Sequence, residues 1–113
     1  MAAEQFLGRT AAFLLPSLKL RDRASRGMPL EEHVHRFLMD EFGGYTAAAG
    51  NIFGFWKDSQ GAESYGEHRQ FTVALTQDSK LAALKSFLSR LAAELGEECI
   101  YLEVSGSAML IHR

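Results

Sequence analysis

Glu63, Tyr65, Glu67, His68 and Arg69 crowd one short stretch of the chain. A carboxylate beside an imidazole can pass a proton in either direction, so His68 with Glu67 or Glu63 forms the candidate acid–base set. A strand end can carry the same residues simply because water solvates them, so geometry decides between the two. His33 and His35 form a His-x-His pair. Their surroundings have helical spacing, and a separation of i to i+2 on a helix is a rotation of about 200°, which disfavours a shared metal. No metal site and no cofactor are expected. Cys99 follows Glu97 and Glu98, whose charges raise a thiol pKa and work against a reactive thiolate.

Two further groups could hold a ligand. Lys19, Arg21, Arg23 and Arg26 precede a helix start, and Arg21, Arg23 and Arg26 are candidate anion ligands. Asp22, Glu31 and Glu32 dilute that charge. Aromatic residues supply large contact area, and Tyr45, Trp56 and Tyr101, with Thr72, are the candidate lining of a small-molecule pocket. Phe53 and Phe55 stand beside Trp56 in a glycine-rich run from Gly43. The chain carries no nucleophile elbow, phosphate loop or dinucleotide fingerprint.

The elements that must position these groups follow from the pattern. Arg9 to Leu18 is apolar on both alternating sets, as in a strand buried on both faces. Lys19 to Met28 reads as a loop. Leu30, Val34, Phe37, Leu38 and Phe42 have helical spacing behind Pro29, and Gly43-Gly44 stops the helix. Tyr45 to Trp56 reads as a second strand with Gly50 and Gly54 as bulge candidates, and Lys57 to Glu63 as a turn. Glu67 to Thr76 alternates as a third strand. Asp78 is a candidate cap for a helix through Leu81, Leu84, Leu88, Leu91 and Leu95, ended by Gly96. Cys99 to Val104 is a fourth strand, and Ala108 to Ile111 a short fifth.

This order predicts an α+β, ferredoxin-like two-layer sandwich: β-α-β-β-α-β with an extra C-terminal hairpin strand and an antiparallel sheet. Its first and third strands are central. A length of 113 residues suits one domain, 1–113. With both helices on one face, the other carries Gln70, Thr72, Ala74, Cys99, Tyr101 and Glu103, plus either Phe13 and Leu15 or Leu14 and Leu18. Such a face suits a homodimer or higher oligomer.

A net charge of -2 argues against a nucleic-acid partner. No run is long enough to span a bilayer, so no membrane partner is expected. The run Thr10 to Leu15 behind Arg9 is cut short by Pro16, unlike a signal peptide. A single cysteine fits a reducing, cytoplasmic compartment.

Gly44-Tyr45-Thr46, Gly54-Phe55-Trp56, the Asp58 to Gly61 turn and the run from Leu95 to Tyr101 resemble small bacterial ferredoxin-like proteins of unknown function. The architecture is also similar to PII-like proteins, which implies effector binding between subunits, although the long nucleotide-binding loop is missing. By size the chain is similar to cofactor-free dimeric monooxygenases. Asn51, Trp56 and His68 are counterparts in kind to their pocket groups, but Gly43-Gly44 replaces the Pro-Gly after the first helix. The leading expectation is therefore a non-enzymatic homo-oligomeric domain that binds a small molecule or acts in regulation. The alternatives are a small cofactor-independent enzyme, monooxygenase-like or acid–base, with its pocket at the sheet face, and an anion-binding or protein-interaction module built on residues 19–26.

Overall fold

The computed structural model describes residues 2–113, so Met1 of the expected domain 1–113 lies outside them. The chain forms β1 (Arg9–Pro16), α1 (Ser17–Asp22), a small ribbon of β2 (Ala24–Ser25) and β3 (Met28–Pro29), and α2 (Leu30–Phe42). It continues with β4 (Thr46–Ala47), β5 (Ile52–Lys57), β6 (Glu63–Leu75), α3 (Asp78–Leu95), β7 (Cys99–Val104) and β8 (Ser107–His112). The main sheet runs β4-β6-β1-β7-β8, with β5 also on β6, and every pairing is antiparallel. This is the expected α+β arrangement, with the first and third long strands central.

Alternation on the strands selects one face for the core. Ala11, Phe13 and Leu15 of β1, Phe71, Val73 and Leu75 of β6, and Ile100, Leu102 and Val104 of β7 are all buried. They pack against Leu30, Val34 and Leu38 of α2 and Leu84, Leu88, Leu91 and Leu95 of α3. Phe13 and Phe71 stack at 5.5 Å, and Phe37 and Phe87 stack at 3.9 Å between the two helices. Leu14 therefore falls on the helix-free face, while Leu18 leaves the sheet altogether.

Three details differ from the sequence pattern. The first strand stops at Pro16, whose φ of -63° opens α1, and this helix takes up residues expected as strand and loop. The second strand is broken in two. Between the pairs Thr46↔Thr72 and Ile52↔His68, the five residues 47–51 face the three residues 69–71, which places the bulge around Gly50. Gln77, not Asp78, occupies the N-cap position of α3 without a side-chain capping hydrogen bond, and Asp78 instead pairs with Arg9 at 3.5 Å.

The third strand is longer than expected, at 13 residues. At about 3.4 Å per residue it spans about 44 Å, so its outer half with β5 projects as a hairpin beyond the two-layer body. The molecule measures 53 × 33 × 27 Å accordingly. Leu88 is fully buried where α3 meets the sheet. Leu88→Ala is expected to destabilise the fold by about 2–5 kcal/mol in a denaturant titration, through lost burial and a residual cavity.

Candidate functional site

Successive residues of a strand point to opposite faces, and β6 separates the candidate groups on that rule. Glu63, Tyr65, Glu67, Arg69 and Phe71 share the helix-side face. Ser64, Gly66, His68, Gln70 and Thr72 share the other. Cross-strand partners agree, with Phe53 opposite Glu67, Phe55 opposite Tyr65 and Ile52 opposite His68. A single chain therefore does not bring His68 together with Glu67 or Glu63. Trp56, Thr72 and Tyr101 lie on the helix-free face, whereas the Tyr45 ring sits on the helix side, 6.0 Å from Phe71. Trp56 is opposite Ser64, about 27 Å along β6 from Thr72, so these residues do not line one pocket within the chain.

His68 is half-buried beneath the edge of Trp56, at 5.7 Å between ring centroids. Both rings cover Gly66. A Cβ there would stand 2.6 Å from His68 Cε1 and 2.7 Å from Trp56 Cη2, so only glycine leaves room for the pair. His68 Nδ1 is buried without a hydrogen-bond partner. Burial lowers the His68 pKa, against weaker opposing effects from the Gly66 backbone and the Glu97 charge. The neutral ring is thus the form the fold prefers. As pH falls below the ordinary value near 6.5, the unfolded chain takes the proton first, and this contribution to stability is lost toward the lowered native value. In an NMR titration the His68 ring is expected to titrate below a free histidine, and His68→Gln is expected to flatten the stability profile across that window.

Elsewhere on the helix-free face, the Tyr101 hydroxyl donates to Glu103 at 3.2 Å. Burial, then that hydrogen bond and the Glu103 charge, raise the phenol pKa. Cys99 is partly buried, and burial, followed by Glu98 and Glu97, pushes its thiol up and away from reactivity.

The helix side holds the richer cluster. Glu31, Glu32, His35, Tyr45, Arg69 and Phe71 line an open cleft of about 320 Å³ beside β4. Arg69 Nη1 donates to Glu31 at 2.9 Å, Arg36 holds Glu32 at 3.3 Å, and His35 Nδ1 and the Tyr45 hydroxyl share a hydrogen bond of 2.8 Å. The same face of β6 then runs outward through Glu67 to Tyr65, where Phe53 stacks at 5.9 Å and Phe55 packs at 5.2 Å. Partial burial and the Glu67 charge hold the Tyr65 phenol above its ordinary pKa. The stripe from Arg69 to Tyr65 is about 13 Å long. It offers an arginine for a carboxylate, carboxylates for a cation, and aromatic faces for a flat ring. In sequence Glu31 and Glu32 read as acids that dilute the basic loop, and His35 as half of a His-x-His pair unsuited to a shared metal. The crowding of Glu63, Tyr65, Glu67 and Arg69 in one short stretch was the signal pointing to this stripe.

The basic segment does not converge. Lys19 pairs with Glu97 at 2.9 Å, Arg21 with Asp22 at 3.2 Å, and the Arg23 guanidinium packs over Gly96, 2.8 Å from where a Cβ would stand. Arg26 stands apart in the β2–β3 turn. Among the described residues, no helix is long and apolar enough to cross a membrane.

No family model matches the chain, and no curated protein matches it either. Solved structures do. Phage SAM lyase in complex with S-methyl-5′-thioadenosine aligns with a TM-score of 0.60 at 13% identity, over 100% of this chain and 95% of that chain. Phage SAM lyase in the apo state aligns with a TM-score of 0.58 at 10% identity, over 99% and 97%. At these identities the likeness is one of fold, a small α+β fold. Nothing found supports the PII-like resemblance. The expectation of a non-enzymatic binding or regulatory domain is corrected as well, since both of these solved structures, alike in fold along nearly the whole chain, are of an enzyme. A missing catalytic motif is no argument against catalysis, because function resides in a site and not in a fold.

Proposed function

We propose that the chain is a lyase acting on a sulfonium nucleoside of the S-adenosylmethionine class. The observation that carries this reading is the end-to-end likeness to phage SAM lyase. The helix-side stripe suits such a substrate. Tyr65, Phe53 and Phe55 offer ring faces to the adenine and the sulfonium charge. Glu67, on the same face of β6, favours the cationic end, and Arg69, exchanging its bond to Glu31, receives the amino-acid carboxylate.

Conversion of S-adenosylmethionine to S-methyl-5′-thioadenosine breaks the bond between sulfur and the amino-acid carbon chain. The bonding pair stays on sulfur, which becomes a neutral thioether. The carbon chain is completed either by attack of its own carboxylate oxygen or by loss of a neighbouring proton to a carboxylate. The leaving group is already present in the substrate, so the protein's task is to fold the chain into position and exclude water.

The cleft is open, and Phe53, Phe55 and Tyr65 are 59%, 79% and 53% exposed. Uncovered aromatics of this size at the mouth of a site favour a second copy closing over the hairpin. The chain accordingly acts as a homo-oligomer, in the cytoplasm where S-adenosylmethionine is made.

The test is incubation of the purified protein with S-adenosylmethionine, with products followed by liquid chromatography and mass spectrometry. S-Methyl-5′-thioadenosine is the expected product, and Glu67→Gln is expected to slow its release about a hundredfold with the fold intact by circular dichroism. Absence of product and of binding overturns the reading. Light scattering of the same sample is expected to give a multiple of the chain mass, and a monomer at high concentration refutes the assembly.

A further inference from the structure

A second hollow lies on the far side of α2 from the sheet edge, away from the stripe on β6. Its volume is about 200 Å³, and Arg26, His33, Arg90, Glu94, Phe87 and Leu91 line it. The residues come from the β2–β3 turn, α2 and α3, so tertiary packing gathers them. Among the described residues neither Arg26 nor Arg90 has a carboxylate within ion-pairing distance.

Arg26 is held there at a cost. It has φ of 54° and Gly27 φ of 75°, the paired positive values of a two-residue hairpin turn. Glycine and asparagine take the first of these positions with little strain, whereas a long side chain in the left-handed region is disfavoured. His33 Nε2–H donates to the Ser25 carbonyl at 2.7 Å, which ties the ribbon to α2 and fixes the ring at the rim. A strained residue kept in place beside a second unpaired arginine is the pattern of a ligand site.

We propose that this hollow binds a small phosphate monoester. Two guanidiniums match a dianion and present forked donors to its oxygens, while a monocarboxylate would leave one of them unmatched beside Glu94. Phe87 and Leu91 give the apolar wall against which an organic ester group packs. Arg21 and Arg23 take no part, since both are engaged elsewhere.

Amide NMR with inorganic phosphate, phenyl phosphate and benzoate tests this. Saturable shifts confined to residues 25–33 and 87–94 are expected with both phosphates, tighter for phenyl phosphate, and weaker by tenfold or more for benzoate. Arg26→Gly relieves the turn, so it is expected to keep or raise the melting temperature while weakening phenyl phosphate at least tenfold. Arg90→Gln, which leaves the turn alone, is expected to weaken it similarly. No saturable shift with either phosphate, unchanged binding by Arg26→Gly, or benzoate binding as tightly as phenyl phosphate overturns the proposal.

Discussion

The register between β1 and β6 is the constraint on which everything else rests. Eight consecutive pairs, from Arg9↔Leu75 to Pro16↔His68, place Phe13 over Phe71 and Ala11 over Val73 on the helix side. A slip by one residue would turn this whole apolar set toward water, so burial fixes the register strongly. Once it is fixed, the direction of every later residue on β6 is fixed too. Glu67 and Arg69 then face the helix side and His68 faces away, because Phe71 must face the core.

The same strand joins two environments. Its C-terminal half lies in the core, where Phe71, Val73 and Leu75 are buried. Its outer residues, Glu63 to Glu67, leave the helices behind and pair only with β5. Rigid core packing thus carries a cantilevered hairpin, with aromatics exposed on the helix side and the Trp56–His68 pair folded over Gly66 on the other. The hairpin is thus anchored at one end in the core, and its aromatics are uncovered at the other.

Much of this fold was legible in the chain. Helical spacing at Leu30, Val34 and Leu38 and at Leu84, Leu88, Leu91 and Leu95 located α2 and α3, and the strand order followed. The short helix α1 was not legible, because six residues with only Leu20 buried leave too little periodicity to detect. The bulge near Gly50 was signalled by glycine, but its offset depends on pairing with β6. The site was harder to read. Alternation separates Glu67 from His68, and sequence proximity concealed that separation. Glu31 and Arg69 meet only through the fold, 38 residues apart. The lyase chemistry proposed above asks for no nucleophile motif, since a sulfonium substrate brings its own leaving group.

The most direct measurement is amide chemical-shift mapping with S-methyl-5′-thioadenosine, the nucleoside that a sulfonium lyase of this kind would release. Saturable shifts along Tyr65, Glu67 and Arg69 and across β5 at Phe53 and Phe55 are expected if the helix-side stripe is the site. Shifts confined to the helix-free face around Thr72 and Tyr101, or no binding at all, would contradict it.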